Sequence, residues 1–219
     1  YELASLDNYL TDRTLYRNVG YWKNNPKTLD DACEELAKLV AQKLELGPND
    51  RLLDVGFGYG DQDMYWVENY APREIVGINI TKSQIEHASQ RVAARGMSHR
   101  IRYQTGSAVQ MPFEDSSFDK VVALESAFHF PTRADFFREA YRVLRPGGRL
   151  VLVDIVPLPY EHLPLVPRVI SHLVLHMGKA HPENIYDRSV YEQKLRAPGF
   201  DATVESIHAD TLLPFARYT

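Results

Sequence analysis

Cysteine is nearly absent. Cys33 is the only one in 219 residues, which excludes an internal disulfide and any site built from several thiolates. No apolar run approaches the ~18 residues of a membrane-spanning helix, and no secretory signal precedes the first predicted helix. A cytoplasmic location is therefore the expectation. Charge of one sign is not in excess: 25 basic residues stand against 29 acidic, for a net charge of -4, and the basic ones are scattered. Nothing here attracts a polyanion, so no nucleic-acid partner is expected. The zinc-protease pattern H-E-x-x-H is missing. His172 and His176 share a helix face, with His162 and His181 nearby, but no carboxylate completes the set, and no metal is expected. The phosphate-loop pattern G-x-x-x-x-G-K-[ST] is missing too. What remains is a chain with 44% hydrophobic residues, enough for one domain with a real core. It opens on Tyr1 rather than methionine, and its natural N-terminus is expected to lie upstream.

Helical and strand periodicities alternate along that chain. Thr28 reads as an N-cap, followed by Leu29, Ala32, Cys33, Leu36, Leu39, Val40 and Leu44 at helical spacing. Gly47-Pro48 ends this helix, and residues 1–47 are expected to form an N-terminal helical cap. Strands are predicted at 51–55, 74–80, 100–105, 119–124 and 150–156. Helices are predicted at 60–70, from a Thr81 cap to Gly96, from a Thr132 cap through Leu144, and at 186–195. The fold class is α/β: a doubly wound, Rossmann-like, mostly parallel sheet flanked by helices, in a single domain with its core at 48–156. Ligands in such sheets sit beyond the carboxyl ends of strands, where the winding reverses.

The loop after the first strand is LLDVGFGYGDQD, residues 52–63. It departs from the dinucleotide pattern G-x-G-x-x-G, because the third glycine comes one residue early and Asp61 takes its place. Gly56, Gly58 and Gly60 leave the backbone bare, while Asp54 and Asp61 flank them with negative charge. That combination disfavours phosphate and favours a cation carrying an ammonium and a sulfonium, which is S-adenosylmethionine. A glycine-rich turn without a ligand is the bland alternative.

LLDVGFGYG resembles the first motif of the class I S-adenosylmethionine-dependent methyltransferases. GSAVQMPFEDSSFDKVVALESAFHF and FFREAYRVLRPGGRLVLVDIV are similar to later passages of that family, and the likeness covers roughly residues 15 to 156. VGYW, VGINITKSQIEHA and ALESAFHF narrow it to small-molecule methyltransferases, among them sugar O-methyltransferases of natural-product biosynthesis and the tocopherol enzymes. The resemblance implies S-adenosylmethionine as cofactor and S-adenosylhomocysteine as product. It implies that Asp54 fixes the loop and engages the ammonium. Asn79, with Ile80 beside it, stands where the family has a ribose-binding acid, and Ser107 with Ala108 stands where it has an adenine-binding one. Tyr21 and Trp22 match the aromatic pair that closes over the methionine end, where an aromatic face favours a sulfonium. Met111 and Phe113 either flank the adenine or belong to the core, and Glu125 contacts ligand or is structural.

Methyl transfer to a hydroxyl needs its proton removed. His129 follows the fourth strand at the carboxyl edge, and Asp154 lies near the carboxyl end of the fifth. By resemblance these act as general base and orienting partner. Residues 157–185 are expected to be a lid inserted after the fifth strand, whose Leu, Val, Ile and Met content implies an apolar natural-product-like or lipid-like acceptor. GFDATVESIHAD is expected to form a sixth strand. The family's seventh, antiparallel strand finds no counterpart before Thr219, so truncation or disorder is expected there. An uncovered sheet edge is an association hazard, and a homodimer is an admitted partner. The expected activity is an O-methyltransferase; C- or N-methylation, and a non-catalytic partner protein that kept the fold, are the alternatives.

Overall fold

The computed structural model describes residues 11–156 and 181–218. The lid expected after the fifth strand, for residues 157–180, and His162, His172 and His176 with it, lie outside the described residues.

Five strands form one sheet: β1 Arg51–Val55, β2 Glu74–Asn79, β3 Ile101–Thr105, β4 Phe118–Leu124 and β5 Leu144–Val153. Their order is β3-β2-β1-β4-β5, and every neighbouring pair is parallel. The chain winds outward from β1 to β3, then returns to β4 on the other side of β1. The reversal opens a crevice between the carboxyl ends of β1 and β4. Helices α1 Leu29–Leu44, α2 Asp61–Tyr70, α3 Lys82–Ala94, α4 Arg133–Val143, α5 Arg188–Arg196 and α6 Leu212–Tyr218 complete the described architecture.

Side chains alternate across the strands and fill two cores. Leu52, Ile75, Val122 and Leu124 pack against α1 and α2 on one face. Leu53, Val55, Val76, Ile78, Val121 and Ala123 pack against Phe136, Phe137 and Ala140 of α4 on the other. Burial on both faces explains why these strands read as nearly unbroken apolar runs. Cys33 is buried in the first core, as expected from its place on the apolar stripe. Thr28 and Thr132 cap α1 and α4, each accepting a hydrogen bond from the backbone N–H of the third residue on.

Several expectations are corrected. Residues 11–28 are irregular rather than helical. The Asp30 carboxylate accepts from the backbone N–H groups of Asp12, Arg13 and Thr14 and from the Thr14 hydroxyl. Those donors are therefore unavailable to a helix. Burial opposes the charge on Asp30, but these donors hold its pKa below the usual carboxylate value. Thr81 stands at the N-cap of α3 without capping it through its hydroxyl; Asn79 Oδ1 accepts the Thr81 N–H instead. Pro146-Gly147-Gly148 lies inside β5 rather than before it: Leu144 pairs with Phe118, four residues bulge, and pairing resumes at Arg149 opposite Lys120. The segment 201–207 forms no strand. A cavity of about 1630 Å³ is lined both by this segment and by β5, with Leu150, Leu152, Ala202 and Val204 among its residues. The short helix α6 at the end was not anticipated. No helix among the described residues is long and apolar enough to cross a membrane.

Candidate functional site

All strands are parallel, so every segment singled out at a strand end converges on one edge of the sheet. The glycine turn leaves β1 with Gly56, Gly58 and Gly60 at φ of +87°, +60° and +79°, a region where other residues are strained. The crowding at two of these positions comes from the protein itself. A Cβ on Gly56 would lie 2.6 Å from the Ser126 Cβ, and one on Gly60 would lie 2.2 Å from the Tyr103 hydroxyl oxygen. The Ser126 hydroxyl donates to the Val55 carbonyl at 2.7 Å, lacing the end of β4 to the end of β1. Gly58 differs: its nearest neighbour is the Arg17 stem at 3.6 Å, ordinary contact with a flexible side chain. There the turn is covered by a flexible side chain rather than by packed neighbours.

The two acids flanking the turn are not equivalent. Asp61 begins α2 and forms a two-pronged ion pair with Arg91 at 2.6 and 2.7 Å. Its charge is spent inside the protein, so it does not supply the negative field the sequence suggested. Asp54 is fully buried; its Oδ2 accepts from Gln62 Nε2, which also donates to the Phe57 carbonyl. Burial raises the Asp54 pKa to about 6. The structure thus gives Asp54 the role of turn anchor.

Asn79 ends β2. Its amide donates to Gln84 Oε1 at 2.9 Å, and its carbonyl accepts from Thr81 N–H at 3.1 Å. Each group retains capacity for one further bond. Ile80 follows with 66% of its surface exposed, the most exposed large apolar side chain among the described residues. At the end of β3, the Gly106 N–H donates to the Asn79 carbonyl, and Ser107 Oγ accepts from Val109 N–H. Ala108 and Met111 are buried in the second core, and Phe113 meets the Phe118 ring edge-on at 4.9 Å, so both Met111 and Phe113 take the core alternative.

Glu125 leaves β4 with φ of 48°, a left-handed conformation that costs about 1–2 kcal/mol for a side chain of its kind. Its two oxygens accept the Val19 N–H at 3.3 and 3.2 Å, tying the N-terminal segment across the sheet edge. Burial foremost, with Asp154 nearby, raises its pKa to about 7 against the Val19 donor. His129 ends a short 3-10 turn, Ala127–His129, with its N–H on the Ser126 carbonyl and its ring 4.0 Å from that of Phe128. Tyr21 and Trp22 are half-buried against the first core; Trp22 Nε1 donates to the Val19 carbonyl. Tyr21 lines the cavity beside β5 with Glu125 and Asp154, and the Arg17 stem lies against Gly58.

Asp154 is held by Arg133. Its carboxylate accepts from Arg133 Nε at 2.7 Å and Nη2 at 3.1 Å, and from the Ile155 N–H at 2.9 Å. Arg133 is thus the ion-pair partner of Asp154, a neighbour the sequence did not identify. Sequence reasoning missed Arg133, Asp63 and Tyr103. Asp63 left a trace: it is an acid among the buried residues of α2, beside Met64.

A family model described as "Methyltransferase domain" matches residues 53–152. Erythromycin 3''-O-methyltransferase of Saccharopolyspora erythraea is 38% identical over 100% of this chain and 72% of its own length. The 27-O-demethylrifamycin SV methyltransferase of Amycolatopsis mediterranei is 39% identical over 64% of this chain and 51% of its own. The crystal structure of the [4+2]-cyclase SpnF superposes with a TM-score of 0.77 at 27% identity, covering 93% of this chain and 72% of that one. A geranyl diphosphate methyltransferase solved with SAM gives a TM-score of 0.80 at 20% identity, covering 93% and 86%, and shares the fold. With a glycine turn at the strand switch point and a relative 38% identical over the whole of this chain, the chain belongs to the class I S-adenosylmethionine-dependent methyltransferases.

Proposed function

We propose that this protein transfers a methyl group from S-adenosylmethionine to a hydroxyl of a small, largely apolar molecule. The observation that supports the cofactor's place is the glycine turn at the β1–β4 crevice, where the flexible Arg17 stem rather than a packed neighbour lies against Gly58. The residues there fit the group. Gly58 gives the amino-acid portion close access to backbone, the Asn79 amide has capacity for a ribose hydroxyl, and exposed Ile80 offers an apolar face to the adenine. The bound cofactor supplies an electrophilic methyl group, and the protein's share is to orient the acceptor and take its proton. His129 stands at the same sheet edge and is the candidate general base. The half-buried Phe128 and Phe130 around it suit an apolar acceptor. The names of the erythromycin and rifamycin relatives place their methyl groups on oxygen, which favours oxygen here. SpnF, named as a cyclase, shows that this fold also hosts other chemistry, so activity has to be measured directly.

Calorimetry tests the cofactor site. S-adenosylmethionine should bind with a stoichiometry of one, and Gly58→Ala should weaken it about tenfold or more. The substitution should cost the fold only the left-handed strain, about 1–2 kcal/mol, because its Cβ has room. No heat with the parent protein, or unchanged affinity in the variant, sinks this placement. Mass-spectrometric screening of hydroxylated apolar metabolites for a gain of one methyl then identifies the acceptor.

A further inference from the structure

Beside the glycine turn, two carboxyl groups meet inside the protein. Asp54 on β1 and Asp63 on α2 are both fully buried and lie within hydrogen-bonding reach of each other. No cation contacts either one among the described residues. Asp61 also bears on Asp63 but is paired with Arg91, and Tyr103 on β3 is bonded to Asp63. Gln62 donates to Asp54 Oδ2 at 3.0 Å, and the Tyr103 hydroxyl donates to Asp63 Oδ2 at 2.8 Å. The remaining oxygen of each acid, Oδ1, has no partner. Two buried anions side by side, each with an orphaned lone pair, would be doubly costly. One proton between the two orphaned oxygens removes one charge and satisfies both atoms.

We propose that Asp63 is a positioning residue that shares a single proton with Asp54, so that the pair carries one negative charge and braces the glycine turn. The brace is continuous: Tyr103 to Asp63, Asp63 to Asp54, Asp54 to Gln62, and Gln62 to the Phe57 carbonyl in the turn itself. Tyr103 also stacks on Phe57 at 4.0 Å, and its hydroxyl is the atom that forbids a side chain at Gly60. The inference does not depend on which ligand the turn receives.

The test is Asp63→Asn, which reproduces a protonated Asp63: one N–H for Asp54 and a carbonyl for Tyr103. Burial and the Asp54 charge raise the Asp63 pKa well above the ordinary carboxylate value. A raised folded-state pKa contributes stability that is complete below about pH 4 and is lost as pH rises toward the folded value. The variant lacks that loss. Its unfolding equilibrium constant, relative to wild type, should therefore fall between pH 5 and pH 8 by about tenfold for each unit of pKa elevation in that window. The infrared difference spectrum at pH 7 should show the carbonyl stretch of a protonated carboxyl disappearing in the variant. Parallel stability–pH curves, an absent carboxyl band, or failure of the Asn variant to fold each overturns the shared proton.

Discussion

Arg133→Met is expected to cost about 3–5 kcal/mol, the range for breaking a buried ion pair from one side, out of a total of about 5–15 kcal/mol for a domain of this kind. The Arg133 side chain is 1% exposed and that of Asp154 is 4%. Nε and Nη2 hold the carboxylate, Nη2 also donates to the Ile155 carbonyl at 2.8 Å, and Nη1 donates to the Asn184 carbonyl at 2.6 Å. The rings of Tyr186 and Tyr191 each lie 5.5 Å from the guanidinium carbon. Burial alone would lower the arginine's pKa, but Asp154 overrides it and holds the charge in place. Methionine fills the space and leaves Asp154 as an unpaired buried anion beside two carbonyls without donors. Lysine does little better, because a single ammonium cannot reproduce the planar fork. Urea denaturation measures the loss. The double variant Arg133→Met/Asp154→Leu should recover most of it, because the penalty comes from the stranded charge. A single-variant loss under about 1 kcal/mol would mean that the pair is solvated after all.

Arg133 also marks where the sequence stopped being legible. The strands β1, β2 and β4 announced themselves because burial on both faces demands apolar residues throughout, and their bounds came out within one residue. The glycine turn and its place at a strand end were legible for the same reason: bare backbone next to an apolar run has few other uses. Pairing was not legible. Asp154 looked available because nothing in its own neighbourhood in the chain could neutralise it; its partner stands 21 residues earlier, on another element. Asp61 looked like part of a field for a cation until Arg91, 30 residues on, took it. The segment expected as a sixth strand pairs with no strand of the described sheet, and a strand is defined by its neighbour. Gly56 and Gly60 were read correctly as places where a side chain cannot stand, yet the crowding groups are Ser126 and Tyr103, which no local pattern identifies.

His129→Ala should lower kcat by about 10²–10⁴-fold, the range for losing a general base, with cofactor affinity little changed. The expectation follows from how the loop is held. The chain turns sharply at Glu125, the Ser126 hydroxyl bonds to Val55, and Asn184 Nδ2 donates to the Phe130 carbonyl at 2.7 Å, with the His181 N–H on the Phe128 carbonyl at 3.2 Å. The backbone on both sides of residue 129 is therefore anchored by bonds that do not involve its ring, and truncating the side chain leaves the loop in place. Glu125 is the competing proton acceptor, because burial puts its pKa at about 7, and a loss of activity on acidification fits either residue. The substitutions separate them. Glu125→Gln keeps an acceptor for the Val19 N–H and should leave most of kcat. It should also gain stability relative to wild type as pH rises from 5 to 8. The raised pKa of Glu125 stabilises the fold below about pH 4.3 and loses that contribution on the way to 7. Added imidazole should restore part of the His129→Ala rate and none of a Glu125→Gln deficit. If instead Glu125→Gln abolishes turnover while His129→Ala is near wild type, the proton leaves through the carboxylate tied to Val19, and the N-terminal segment becomes part of the reaction site rather than its cover.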